Sequence, residues 1–299
     1  MRNLLKWLVI LLIILLAVFI WKDAPKDAIS ITIALIIAAV SGVFLVQAPH
    51  DDLFSAVSKN DADIDEIQDI IKSGASLTAT DKDGRTALIR AAARGNSIEI
   101  LSLLIDSGSE LEARDNEGNT ALIHAAMFNP DIGIMNALIK SGANVNAKNN
   151  AGNTPLITAA MFSQNPEIVR MLIDNGADIN ARNFEGLTAL HRASNPDYVA
   201  MLTASGANIN ATDIYGHTPL MSAAFQDDPD TLSAMLNSGA EVNAKDREGR
   251  TALTYAAEKS RAENVKLLLS YGADTSIRNI DGKTALDYAH GESIKRLLS

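Results

Sequence analysis

The chain has 299 residues, carries 26 Lys and Arg against 36 Asp and Glu, and contains no cysteine. The missing thiols exclude disulfides, thiolate metal sites and a cysteine nucleophile, and the acidic balance opposes contact with nucleic-acid phosphates. The mean hydropathy of +0.07 averages two materials: nearly all of residues 4–48 is apolar, and the rest is mixed and polar. The first fifty residues hold four basic and two acidic side chains. The remainder therefore carries 22 basic and 34 acidic residues, a net charge of −12.

The first apolar run, residues 4–21, is interrupted by Lys6 and flanked by Trp7 and Trp21. Eighteen helical residues span about 27 Å, close to a hydrocarbon thickness. Lys6 is near enough to one end to reach the headgroups, and the tryptophans suit the two interfaces. After a polar stretch around Pro25, a second, uncharged run covers residues 29–48, with the small pair Ser41-Gly42 inside it. These runs are expected to form a hairpin of two transmembrane helices. A signal peptide is the competing reading, opposed by the length of the first run and by Pro49 after the Val46-Gln47-Ala48 triplet. Arg2 and Lys6 place the amino end inside, so two crossings would return the remaining residues to the cytoplasmic side; Lys22 and Lys26 oppose this weakly.

Beyond residue 50 the chain repeats itself. A Gly-x-Thr-[Ala/Pro]-Leu element begins at Gly84, Gly118, Gly152, Gly186, Gly216, Gly249 and Gly282, at spacings of 34, 34, 34, 30, 33 and 33. A second glycine recurs in phase from Gly74 to Gly272, each time after an apolar helical segment. The Thr suits a helix N-cap, and Pro155 and Pro219 follow it where a missing N–H costs nothing. Paired alanines such as Ala159-Ala160 allow neighbouring helices to approach. Four second helices carry an Asn/Asp-Pro-acid start: Asn129-Pro130-Asp131, Asn165-Pro166-Glu167, Asn195-Pro196-Asp197 and Asp228-Pro229-Asp230. The in-phase glycines suit left-handed C-caps.

The segments NAGNTPLITAA (Asn150 to Ala160) and IYGHTPLMSAA (Ile214 to Ala224) closely resemble the ankyrin repeat. The resemblance covers residues 51–299. It implies a mainly α fold: an ankyrin-repeat α-solenoid of helix-turn-helix units joined by β-hairpins, behind the membrane anchor of residues 1–50. The units divide as an N-terminal cap at 51–80, repeats at 81–114, 115–148, 149–182, 183–212, 213–245 and 246–278, and a C-terminal cap at 279–299. Repeat four is short, losing three residues around Ala193-Ser194-Asn195-Pro196, so a change of register or curvature is expected there. The family's helix-one histidine survives as His191, where it should bond backbone between repeats.

No catalytic constellation, cofactor loop or metal-ligand spacing is visible, so the chain is read as non-enzymatic and cofactor-free. Asp81 to Gly84 resembles part of a calcium loop but lacks its later ligands and fits a hairpin instead. His124 and His217 read as surface contacts, and Asp227-Asp228 as a helix start. The resemblance places partner contacts on the concave side, at hairpin tips and after the alanine pairs. Those positions hold Met127, Phe128, Met161, Phe162, Phe184, Leu187, Tyr215 and Phe225. An aromatic, Met-rich centre between charged ends resembles a protein interface with a rim. The expected function is a membrane-tethered adaptor or scaffold for a protein partner, with neither nucleic acid nor a small-molecule substrate. A regulatory subunit or inhibitor of a neighbouring membrane enzyme or transporter is the alternative.

Overall fold

The computed structural model describes residues 49–59, 62–94, 97–128 and 131–299, the side chains of 49–52 aside. The apolar runs at 4–21 and 29–48 lie outside these residues; among the described residues no helix is long and apolar enough to cross a membrane. Helices α1 (Pro49–Val57) and α2 (Ile64–Lys72) form a first pair, followed by α3 (Ala87–Arg94) and α4 (Ile98–Asp106). Next come α5 (Ala121–Phe128) with α6 (Ile132–Lys140), and α7 (Pro155–Phe162) with α8 (Pro166–Asp174). Repeat four holds α9 (Ala189–Arg192) and α10 (Pro196–Ala204). The remaining pairs are α11 (Pro219–Phe225) with α12 (Pro229–Asn237), α13 (Ala252–Glu258) with α14 (Ala262–Ser270), and α15 (Ala285–Tyr288) with α16 (Glu292–Leu298). First helices stack on first helices and second on second, so each pair buries its apolar face against its neighbours.

The core follows the repeat. Leu88, Leu122, Leu156, Leu190, Leu220 and Leu253 are buried at one register of the first helix, with the alanine pairs beside them. Alanine at these positions lets whole helices come close, because no side chain holds the backbones apart. Each second helix contributes its own buried residues, such as Ile134, Met135 and Leu138 on α6.

The helix ends obey local rules. Thr154 and Thr218 cap α7 and α11, their side chains accepting from the N–H groups of Ile157 and Met221. Each cap is worth about 1 kcal/mol. Asn165, Asn195 and Asp228 cap α8, α10 and α12, with proline at the first helical position. Repeat two departs from the expectation. Asp131 caps α6, accepting from the Gly133 N–H, so the helix starts at Ile132 rather than at the proline of the Asn129-Pro130 pair. The proline-first start therefore holds in three repeats. At the other end, Gly142 adopts φ +96°, and its N–H and that of Ala143 return to the carbonyls of Ile139 and Leu138.

The expected β-hairpins are not strands: no strand occurs among the described residues. Each connection is instead a tight finger. Across each junction it makes one main-chain bond, such as Asn150 N–H to Glu117 O at 2.9 Å and Phe184 N–H to Ala151 O at 3.1 Å. With a two-residue tip between turns back into helix, there is no length for a ladder to develop. In the short fourth repeat α9 has four residues where α5 and α7 have eight.

Candidate protein interface on the fingers and first helices

Every finger is built on one Asp or Asn. Asp81, Asp115, Asn149, Asn183, Asp213, Asp246 and Asn279 each accept, through one side-chain oxygen, the N–H groups two and four residues ahead. This satisfies two backbone donors in a loop that cannot satisfy them itself. The calcium-like spacing at Asp81 is therefore a finger. The second side-chain atom is left for a further partner, in the same repeat or the one before.

What it reaches differs by repeat. Asp81 Oδ2 accepts from Arg90 Nε at 2.7 Å. Asp115 Oδ2 lies 2.6 Å from His124 Nε2, both side chains buried. Asn149 and Asn183 donate to Asn119 and Asn153 of the preceding repeat, each at 2.9 Å. Asp246 accepts from the Tyr255 hydroxyl at 2.6 Å and Arg250 Nε at 3.1 Å, while His217 joins Asp213 at 3.1 Å to Tyr255 at 2.9 Å. Burial raises the Asp115 and Asp246 carboxyls, but these donors outweigh it and hold both below the usual carboxylate range. Burial and the adjacent Asp246 charge push the Tyr255 hydroxyl far above its ordinary value, so it remains a donor.

His124 is thus no surface contact; it is buried, and its ring stacks on Phe128 at 6.0 Å. The sequence carried a signal for this polar system that the motif reading passed over. A polar or aromatic partner stands nine residues after the finger residue in Asp81–Arg90, Asp115–His124, Asp246–Tyr255 and Asn279–Tyr288. His191 behaves as expected. Its Nδ1 accepts from the Thr188 N–H, and its Nε2 donates to the His217 carbonyl across the junction at 3.0 Å.

On this polar underlayer sit the contact residues. Phe128 and Phe162 are exposed at the ends of α5 and α7, which pack side by side. Phe184 is the most open of the contact residues, 71% exposed at its finger tip. Its ring covers Gly152, where an added Cβ would stand 2.8 Å from the Phe184 nitrogen. Tyr215 is exposed, with its ring 5.7 Å from His217. Phe225 stands at the register of Met127 and Met161, because α11 is one residue shorter than α5 or α7; Lys259 lies 4.4 Å over its ring. Met161 is exposed and Met127 half-buried. Leu187 differs from the rest: it is buried at the floor of a cleft beside Phe225 rather than presented on the surface.

A family model described as "Ankyrin repeats (3 copies)" matches residues 53–149, 129–213, 199–279 and 220–299. The chain belongs to the ankyrin-repeat family. Among solved structures, it is similar to the human ASB11 ankyrin repeat domain. The two share 30% sequence identity and a TM-score of 0.65, over 72% of this chain and 96% of that one. No curated protein matches the chain. Ankyrin repeats are protein-interaction modules, generally without catalysis of their own, and protein binding is the function the family assigns here.

Proposed function

We propose that this ankyrin-repeat chain is a membrane-tethered adaptor that holds a protein partner on the fingers and first helices of repeats two to five. One observation carries the reading. Beyond Phe54, which packs on the core, every phenylalanine of the repeats is exposed, and all four occupy finger-tip or helix-end positions. Aromatic rings left largely in water add little to the stack, whereas they supply rigid contact area to a partner at small entropic cost. Charged side chains border the apolar centre: Arg85 and Arg94 before it, Arg247 and Glu258 after it. The tether rests on the two apolar runs that precede α1, the first with Lys6 near its end and the second uncharged, each long enough to span a bilayer.

Two measurements test the two halves. Crosslinking in membranes followed by mass spectrometry should recover a partner from the intact chain and lose it in the Phe162→Ala, Phe225→Ala double variant at unchanged melting temperature. Recovery of the same partners from both would move the interaction off this face. Alkaline carbonate extraction should leave the intact chain in the membrane pellet and release a version lacking residues 1–48; release of both removes the tether. Exchanging residues 1–48 for an unrelated anchor should preserve partner capture, which an inhibitor acting through specific helix contacts would not survive.

A further inference from the structure

The shortened repeat four interrupts the exposed aromatic face. Where α7 continues through Met161-Phe162, α9 stops at Arg192. Between the short α9 and α11 lies a cleft of about 290 Å³. That volume is at the lower limit of ligand pockets, suited to a side chain rather than to a whole cofactor.

The lining is chemically uneven. Leu187 forms an apolar floor, and Met221, Phe225 and the Tyr255 ring form apolar walls. Of the lining residues Arg192 carries the fixed charge, and Lys259 adds a second cation 4.4 Å over the Phe225 ring. Tyr255 and His217 hold each other through their polar atoms and so present ring surface to the cleft. His191 uses both ring nitrogens within the stack. Arg192 is not committed in this way. It pairs with Glu185 at 3.8 Å, Arg192 half-buried and Glu185 exposed, a pair of small worth that a better acceptor can displace. A cation over an apolar cavity also runs against the −12 balance of the chain from residue 51 on.

We infer that this cleft is a recognition pocket for an apolar side chain of a partner peptide next to an acidic residue, the ring or aliphatic group entering above Leu187 and the carboxylate pairing with Arg192. A planar guanidinium offers two parallel N–H donors to a carboxylate, which a neutral amide cannot match. The inference deepens the interface reading above, because it names what the partner must present at one point of that face. It also gives the three-residue loss in repeat four a use. Beside the shortened helix there is a place on the face where a partner can insert rather than lie flat.

The test uses the full chain in detergent, labelled at its methionine methyl groups, with the Met221 resonance assigned from Met221→Leu. Two probes differ in one group: the blocked dipeptide acetyl-Phe-Glu-amide and its Gln isostere. The acidic peptide should shift the Met221 methyl at a concentration about fivefold lower than the Gln peptide, the scale of one charge-assisted contact at a partly exposed site. Arg192→Gln should bring that ratio to about one. Arg170→Gln, which removes an exposed cation on the far helix α8, should leave it unchanged. Equal shifts from both peptides in the unaltered chain, an unchanged ratio in Arg192→Gln, or no shift at Met221 would each overturn the pocket. Failure here is separable from failure of the wider reading. A partner lost in the Phe162→Ala, Phe225→Ala variant but captured undiminished by Arg192→Gln would keep the face and discard the pocket.

Discussion

Repeats three and four share a finger and differ in a helix. Asn149 and Asn183 make the same bonds, accepting the N–H groups two and four residues ahead and donating to an asparagine of the preceding repeat. Their first helices have eight residues and four. The finger fixes how each unit sits on the last, and any change in it would propagate down the stack. The far end of the first helix lies outside these finger bonds, so it can lengthen, shorten or change character. The surface that varies is therefore also the surface free to acquire a partner.

The largest test of this contrast concerns how repeat four tolerates its missing turn. At the register where α4, α6 and α8 carry Ile100, Ile134 and Ile168, α10 carries Tyr198. Its side chain is fully buried, and its hydroxyl donates to the Ser163 carbonyl in the loop after α7 at 2.6 Å. A larger residue behind the shortened helix keeps the core continuous. Tyr198→Ala should cost about 3–5 kcal/mol in denaturant unfolding. More tellingly, Tyr198→Ile, which restores the residue of the other repeats, should still cost about 2 kcal/mol through lost volume and an abandoned carbonyl. An Ile variant as stable as the parent would mean that the short helix needs no compensation.

A smaller effect separates the repeats by pH. Repeat three has Ile157 at the third position of its first helix, and repeat four has His191. Burial lowers the imidazole below its ordinary 6.5 despite its bond to the His217 carbonyl. The folded chain keeps it neutral because Nδ1 must accept the Thr188 N–H. The unfolded chain then binds the extra proton, so stability falls as pH drops below about 6.5 and levels off beneath the folded value. One proton gives at most about 1.4 kcal/mol per pH unit. His191→Gln keeps a donor without the titration, so its urea stability should change less than the parent's between pH 6.5 and 5. Parallel curves would refute the assignment. Asp246, held low by Tyr255 and Arg250 against its burial, acts in a separate interval, losing its contribution only as pH falls through the carboxylate range.

What could be read in advance follows a physical division. Glycine at positive φ, threonine caps and proline at the first helical turn are dictated by the local backbone, so one repeat's sequence displays them. The family and the units followed from their recurrence. Burial of His124 and Leu187 depends on how the units fold and stack: the finger brings Asp115 back onto the His124 ring nine residues later, and Leu187 lies in the cleft beside Phe225 of the next repeat. The Asp131 cap shows a competition between two adequate N-caps, Asn129 and Asp131, that composition alone could not decide. The missing strands reflect finger length, since the alternating pattern of a hairpin has nothing to act on in a two-residue tip.

The smallest expected effect on folding carries the most weight for function. Phe162 and Phe184 are 48% and 71% exposed, so truncating either removes little buried area. Phe162→Ala and Phe184→Ala should each change unfolding free energy by less than about 1 kcal/mol. If the rings anchor a partner, the same truncations remove contacts desolvated only in the complex, and each should weaken capture about tenfold or more. The two readouts must diverge for the interface to stand. A fall in stability as large as that of Tyr198→Ile would show the rings to be packing for the fingers below them. Phe184, lying over Gly152 of the preceding repeat, is the more demanding case. If even its removal leaves stability intact while capture is lost, the ring is placed for a partner and only rests on its own fold.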